Sequence, residues 1–195
     1  PDAKQNPVRV LEYITGKTLA AHVEDLTQDH ESYFYETLPE ILAHYLHCLE
    51  AIGFLHDHGE KHGDIRRDHI LIDKQTRHYR WIDFDYNYRH RENIFGYDLF
   101  GLGNILLFIV GKGDVLLHDL KRRTPAVLDR LHEDDCNIVF RNRVANLKKI
   151  YPYIPEAMNR VLLHFSHGAH LYYERVEQMR DDLQSAMADI PHPAR

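Results

Sequence analysis

The sequence predicts a mainly helical α+β domain, and three features predict it. From Leu38 to Ile52 the apolar residues Leu38, Ile41, Leu42, Tyr45, Leu46, Leu49 and Ile52 recur at helical spacing. From Tyr97 to Val110 the chain is apolar on almost every side, the composition of a helix buried all round. Between them, His69–Asp73 and His78–Ile82 read as two short strands joined by a polar turn, Lys74 to Arg77.

The remaining elements follow in order. Val8 to Tyr13 reads as a short strand that Gly16 ends. Thr18 is placed to cap a short helix from Leu19 to Leu26. Thr37 then stands as N-cap of the long helix, with Pro39 in its first turn and Gly59 at its end. Gly111-Lys112-Gly113 stops the buried helix. Beyond Thr124 several amphipathic helices are expected, the last from Tyr172 to Met187. No repeat, low-complexity tract or dividing linker appears, so residues 1–195 read as a single domain.

Composition narrows the function classes. With 195 residues, 44% of them apolar, the chain can bury a core. A net charge of −6 with no basic run argues against nucleic acid as a partner. The longest apolar run, Ile105 to Val110, is far shorter than the ~20 residues of a membrane span. Two cysteines on apolar segments, Cys48 and Cys136, form no disulfide framework, so a reducing, cytoplasmic setting is expected. The chain begins with Pro1 and reads as trimmed, processed or preceded by further residues. Its 16 histidines invite a metal reading. His164, His167 and His170 recur every third residue, but no Cys or acid completes a ligand set, and Gly168 interrupts the helix they need. They read as surface histidines, as do His44 with His47 and His56 with His58.

The chemistry concentrates in His62-Gly63-Asp64-Ile65-Arg66-Arg67-Asp68-His69 and Ile82-Asp83-Phe84-Asp85. One acid precedes the hairpin and another follows it. Closing the hairpin lets Asp64 and Asp83 face one space across nineteen positions of sequence. One carboxylate can then take a hydroxyl proton while the other holds a divalent metal, the division of labour that phosphoryl transfer needs. The plainer reading of Asp64, a loop brace, loses ground once Asp83 and Asp98 are set beside it. Asp68 and Asp85 read as solvated or structural acids.

At these residues the sequence resembles the protein-kinase-like superfamily, specifically its C-terminal lobe. His62-Gly63-Asp64 is similar to the small-molecule and atypical branch, which includes aminoglycoside phosphotransferases, choline kinases and Rio kinases. Leu11-Glu12-Tyr13-Ile14 with Gly16-Lys17-Thr18-Leu19 resembles the hinge between lobes, at about residues 8–18. Asp98-Leu99-Phe100-Gly101-Leu102-Gly103 resembles the start of the central buried helix, whose Asp ties down the catalytic loop. Tyr173 to Leu183 resembles the last helix of the lobe. Four motifs in register are far more specific than any one.

The resemblance implies a lobe with catalytic and metal loops at 62–85, the central helix at about 97–110 and further helices over 124–188. It implies ATP with Mg²⁺ or Mn²⁺. Asp64 would be the base, Arg66 would steady the transferred phosphate, and Asp83, with His69, would bind the metal. Glu12 and Ile14 would meet adenine through their backbone, with Leu71 flooring the pocket; the plainer reading makes all three ordinary strand residues. His62 is expected to be structural. Three departures stand out. No Gly-rich loop or strand Lys precedes the hinge, so an N-lobe is expected from an upstream segment or a partner protein, and the chain alone is expected to be inactive or weakly active. His69 replaces the second metal-binding Asn of the family, although Mg²⁺ prefers oxygen. Tyr97 follows Asp83 by only fourteen positions, leaving little room for an activation segment and pointing to a small-molecule or atypical protein substrate. Two functions remain: a kinase-type phosphotransferase, or a non-catalytic pseudokinase module that binds a protein.

Overall fold

The computed structural model describes residues 4–6, 8, 10–85 and 94–191. A three-stranded antiparallel sheet opens the lobe, in the order β1 (Gly16–Thr18), β2 (Ile70–Asp73), β3 (Tyr79–Trp81). The β2–β3 hairpin lies where the two alternating runs place it. β1 does not. The described residues of the expected strand, 8 and 10–13, form no strand, and Val10, Leu11 and Tyr13 are exposed. Pairing starts instead at Gly16, opposite Asp73 in β2. A Cβ at Gly16 would lie 2.0 Å from the Ile72 carbonyl oxygen, so this residue admits the strand and does not break it.

Four helices follow from short-range chemistry. α1 (Leu19–Glu24) begins where the Thr18 hydroxyl accepts the Ala21 N–H at 3.2 Å. α2 (His30–Glu36) is capped by Asp29, whose carboxylate accepts the Ser32 N–H at 3.0 Å. Sequence periodicity does not reveal α2, because seven residues make only two turns and its anchors, Tyr33 and Phe34, fill the core. The chain passes directly into α3 (Leu38–Asp57) through Thr37. Since α2 runs up to it, Thr37 keeps helical dihedrals and donates its hydroxyl to Gln28 at 3.0 Å. Its side chain therefore does not cap α3. α4 (Gly96–Val110) is the buried helix, with eleven of its residues buried.

The core is one apolar cluster shared by these helices, the sheet and two later helices, α7 (Glu156–Leu163) and α8 (Val176–Met187). Two buried tyrosines tie it to the α4 backbone. Tyr33 donates to the Ile109 carbonyl at 2.8 Å and Tyr45 to the Leu102 carbonyl at 2.7 Å. Trp81 donates to the Cys48 carbonyl at 3.1 Å and seats the hairpin on α3. Both cysteines are free and buried. Among the described residues no helix is long and apolar enough to cross a membrane.

The C-terminal third is less helical than its composition suggests. α5 (Leu117–Arg123) begins before Thr124, α6 (Pro125–Leu128) is one turn, and residues 129–155 hold no α-helix, only 3₁₀ turns at Glu133–Asp135 and Leu147–Lys149 and isolated β-bridges such as that of Cys136 with Val144. Polar side chains replace helix hydrogen bonds there. Asn137, fully buried, donates to the Phe165 carbonyl and accepts the N–H groups of Val139 and Phe140. α7 stops at Leu163, so His164, His167 and His170 lie beyond it and share no helix face.

At the start of α2, the His30 ring stacks on Tyr151 with centroids 3.5 Å apart. A carbonyl oxygen can only accept, so the contact to Val110 at 2.9 Å places the proton on Nε2. Nδ1 accepts the Tyr153 hydroxyl at 2.6 Å. Burial is the largest influence on this ring and pushes its pKa from 6.5 down to about 4, with Lys112 adding to the shift against the pull of the Val110 carbonyl. The folded value is the lower one. Stability from the neutral ring is thus complete above pH 6.5 and is lost as pH falls toward 4. Urea unfolding at a series of pH values should show this loss, and His30→Gln should flatten it in part. Burial also depresses His22, His44 and His62, which add to the loss in the same direction.

Candidate active-site loops

Two loops meet at the open end of the hairpin, and a buried aspartate sets the first of them. Asp98 lies in the first turn of α4 and is 1% exposed. One of its oxygens accepts the His62 N–H at 2.8 Å and the His56 Nε2–H at 3.0 Å; the other accepts the Gly63 N–H at 2.9 Å. Burial is the largest influence on this carboxyl and would raise its pKa. The donors from His56, Gly63 and His62 together outweigh burial and hold it below the usual aspartate value. The expected tie between the central helix and the catalytic-type loop is therefore present. His56 corrects the expectation of a surface histidine: its side chain is 9% exposed, and its ring stacks on Phe95.

The second loop is fastened to the first through the backbone. Asp85 N–H donates to the His62 carbonyl at 2.8 Å, and Ile82 N–H donates to the His69 carbonyl at 2.9 Å. Gly63 has φ +81°, and a Cβ there would stand 2.2 Å from the Asp85 carbonyl oxygen. Only glycine lets the loops close this far. His62 is buried, stacks on Phe84 at 4.3 Å and accepts the Asp64 N–H at 3.3 Å through Nδ1. It organises the loop.

The candidate residues fall into three groups. Asp64 and Arg66 line one groove of about 540 Å³. The Arg66 guanidinium is largely exposed and donates to Asp68 at 3.0 Å. Asp83 follows the hairpin, exposed, with φ +57°. A non-glycine residue in that region is strained, and such strain concentrates at functional sites. His69 turns to the first loop: Nδ1 lies 2.9 Å from the Asp64 carbonyl and 3.4 Å from its carboxylate. The carbonyl contact fixes the proton on Nδ1 and leaves the Nε2 lone pair for a ligand. Glu12 is exposed and paired with Arg80 of β3 at 2.8 Å, while Ile14 and Leu71 are half-buried. Among the described residues no three His, Cys, Asp or Glu side chains converge. By donor chemistry the Asp83 carboxylate is the kind of ligand that Mg²⁺ and Mn²⁺ take, whereas the His69 imidazole is a poor match for Mg²⁺.

Sequence reasoning missed the far wall of the groove. Asp114, just after α4, takes two guanidiniums on one oxygen: Arg67 at 2.9 Å and Arg143 at 3.0 Å. Arg67 also lies over the Phe108 ring at 4.1 Å, and Arg143 over Phe140 at 4.7 Å. Arg143 and Phe140 come from the irregular 129–155 segment, where no periodicity marks a residue's face. The Arg66-Arg67 pair was the only signal in reach.

Asp98→Ala should strand the His62 and Gly63 N–H groups and cost about 3 kcal/mol of unfolding free energy at neutral pH. The folded pKa is the lower one, so the carboxylate's contribution is present above pH 3.8 and lost as pH falls through the folded value. Asp98→Asn should cost less than Ala, and its deficit against wild type should shrink below pH 3.8 in urea titrations. An unchanged deficit would exclude the charge as the source.

Comparison with known proteins is consistent with the fold but stops short of a family assignment. No family model matches the chain. Over 92 residues it is 33% identical to the 2-5A-dependent ribonuclease of Mus musculus, a protein with a kinase-like domain. The match covers 46% of this chain and 12% of that protein, so the chain spans a small fraction of its length. The mainly helical structure with its small three-stranded sheet and this partial likeness are compatible with a kinase-like fold.

Proposed function

We propose that the chain is the acceptor-side lobe of a kinase-like phosphotransferase of the His-Gly-Asp type. The observation that carries this reading is the Asp98 carboxylate, which holds the backbone of His62 and Gly63 and so fixes where Asp64 projects. Asp64 then reaches the groove it shares with Arg66. In the proposed reaction Asp64 accepts or orients the proton of the attacking hydroxyl, and Arg66 steadies the phosphoryl group. Asp83, with His69, would hold Mg²⁺ or Mn²⁺, which would neutralise phosphate charge when bound. The backbone at Glu12 and Ile14 would meet the base of ATP, with Leu71 beneath it. Residues that cover the nucleotide are needed for full activity, from another segment or from a partner chain.

A second reading has its own observation. His69 is engaged with Asp64 on the acceptor side, which leaves Asp83 the one carboxylate proposed for the cation. A pseudokinase that binds a protein and transfers no phosphate fits that arrangement.

Calorimetric titration with ATP and Mn²⁺ separates the two. The phosphotransferase reading expects metal-dependent binding that Asp83→Ala weakens by about tenfold or more. Equal weak binding by both proteins would remove the metal assignment and favour the pseudokinase. With labelled ATP, release or transfer of the γ-phosphate should fall by roughly 10²–10⁴ in Asp64→Asn. Activity that survives this change removes Asp64 as base.

A further inference from the structure

We infer that the groove beside Asp64 takes a small hydroxylated molecule with a flat apolar body, recognised through rings and not through charge. The hydroxyl rests on the phosphotransferase reading; the apolar body rests on the groove alone. Its volume, about 540 Å³, lies in the range of small-molecule sites.

Apolar area that a fold would ordinarily cover is gathered here. Tyr97, Val139 and Phe140 all line the groove, and they are 48%, 51% and 46% exposed. Tyr97 comes from the first turn of α4 and the other two from the irregular segment. Their meeting is therefore made by the fold and not by a run of neighbours left in water. Phe100, three residues along α4, lines the same groove and packs edge-on against Tyr172 at 5.8 Å. Tyr172 is itself nearly half exposed, so the apolar surface continues past the rim. Single exposed apolar residues are ordinary, whereas a cluster around one concavity marks a binding surface.

Phe140 is held in advance of any ligand. Its N–H donates to the buried Asn137 side-chain oxygen at 2.7 Å, and its carbonyl accepts the Arg143 N–H at 2.8 Å. The Arg143 guanidinium lies over the ring at 4.7 Å. A ring fixed in this way loses little freedom when a second flat body packs on it.

Charge does not select. Arg66 pairs with Asp68 at 3.0 Å, and Arg67 and Arg143 share one oxygen of Asp114. With Asp64 counted, three arginines meet three aspartates and the balance is zero. Two of these arginines serve the wall itself, Arg67 over Phe108 and Arg143 over Phe140. Discrimination falls to the apolar surface, whose contribution grows with the area removed from water. Asp64 opens on the same groove and can accept a hydroxyl carried by that body.

Phenethyl alcohol and glucose are suitable probes, titrated into the chain by ligand-observed NMR without nucleotide or metal. Both carry hydroxyls, and only the first has an apolar body. Phenethyl alcohol should bind, and glucose at least about tenfold more weakly. Phe140→Ala, which trims a half-exposed ring, should weaken phenethyl alcohol roughly three- to tenfold, the scale of one aromatic contact. Val139→Ser should weaken it in the same direction. Added salt should leave the affinity within about twofold. Equal affinity for the two probes overturns the inference, as does a Phe140→Ala protein that binds phenethyl alcohol like wild type. A salt-dependent loss of about tenfold also overturns it, by making charge the selector. So does self-association in sedimentation that Phe140→Ala abolishes, which would assign the rings to an interface between copies of the chain. Binding and transfer are read apart: a chain that binds phenethyl alcohol but transfers no phosphate to any hydroxyl refutes the phosphotransferase reading alone. A chain that transfers phosphate and ignores the ring refutes this inference alone.

Discussion

One carboxylate holds the candidate site together. Asp98 is buried at the start of the central helix, where an ionised group without donors would cost several kcal/mol. It has three donors: two backbone N–H groups from the His62–Gly63 loop and the His56 ring from the end of α3. α4 is set in the core by the Tyr33 and Tyr45 hydroxyls on its carbonyls. The apolar core therefore positions a charge, and the charge positions a loop. The loop carries Asp64 toward the groove, and through the Asp85–His62 hydrogen bond it also places the segment that carries Asp83. A core change that moves α4 will move the site.

Much of this was legible in the residues, for reasons that differ by element. α3 announces itself because twenty residues give several turns over which apolar spacing accumulates, and α4 because its fifteen residues are apolar on nearly every side. The hairpin was legible because strands of this length alternate around a polar turn. The N-terminal strand misled: Val8 and Val10 alternate, but strand pairing depends on a partner, and β2 offers its free edge to Gly16–Thr18. α2 was hidden because its seven residues are too few for a periodic signal, although Asp29 and Ser32 form a readable cap. His56 was misread because its partner, Asp98, is 42 residues away.

The 129–155 segment shows where periodicity stops being informative. Asp135 accepts from His132 N–H, Asn146 and Lys149, and Asn159 accepts the Lys148 N–H while donating to Asn146. These buried polar groups stand in for the missing helix ladder and hold the chain in turns. Since the segment folds through specific pairs and not through a repeating face, Phe140 and Arg143 reach the groove with no pattern to foretell it.

The two aspartates at the ends of α4 are held differently. Asp98, in the first turn, collects three donors and is held below its usual pKa. Asp114, past the C-terminal end, divides one oxygen between two arginines, Arg67 and Arg143. The first arrangement gives rigidity and is complete within the chain. The second ties together two arginines that line the groove holding the candidate base. Both sides of the groove are thus set by a carboxylate at an end of α4: Asp98 fixes the loop that carries Asp64, and Asp114 joins Arg67 to Arg143 of the irregular segment.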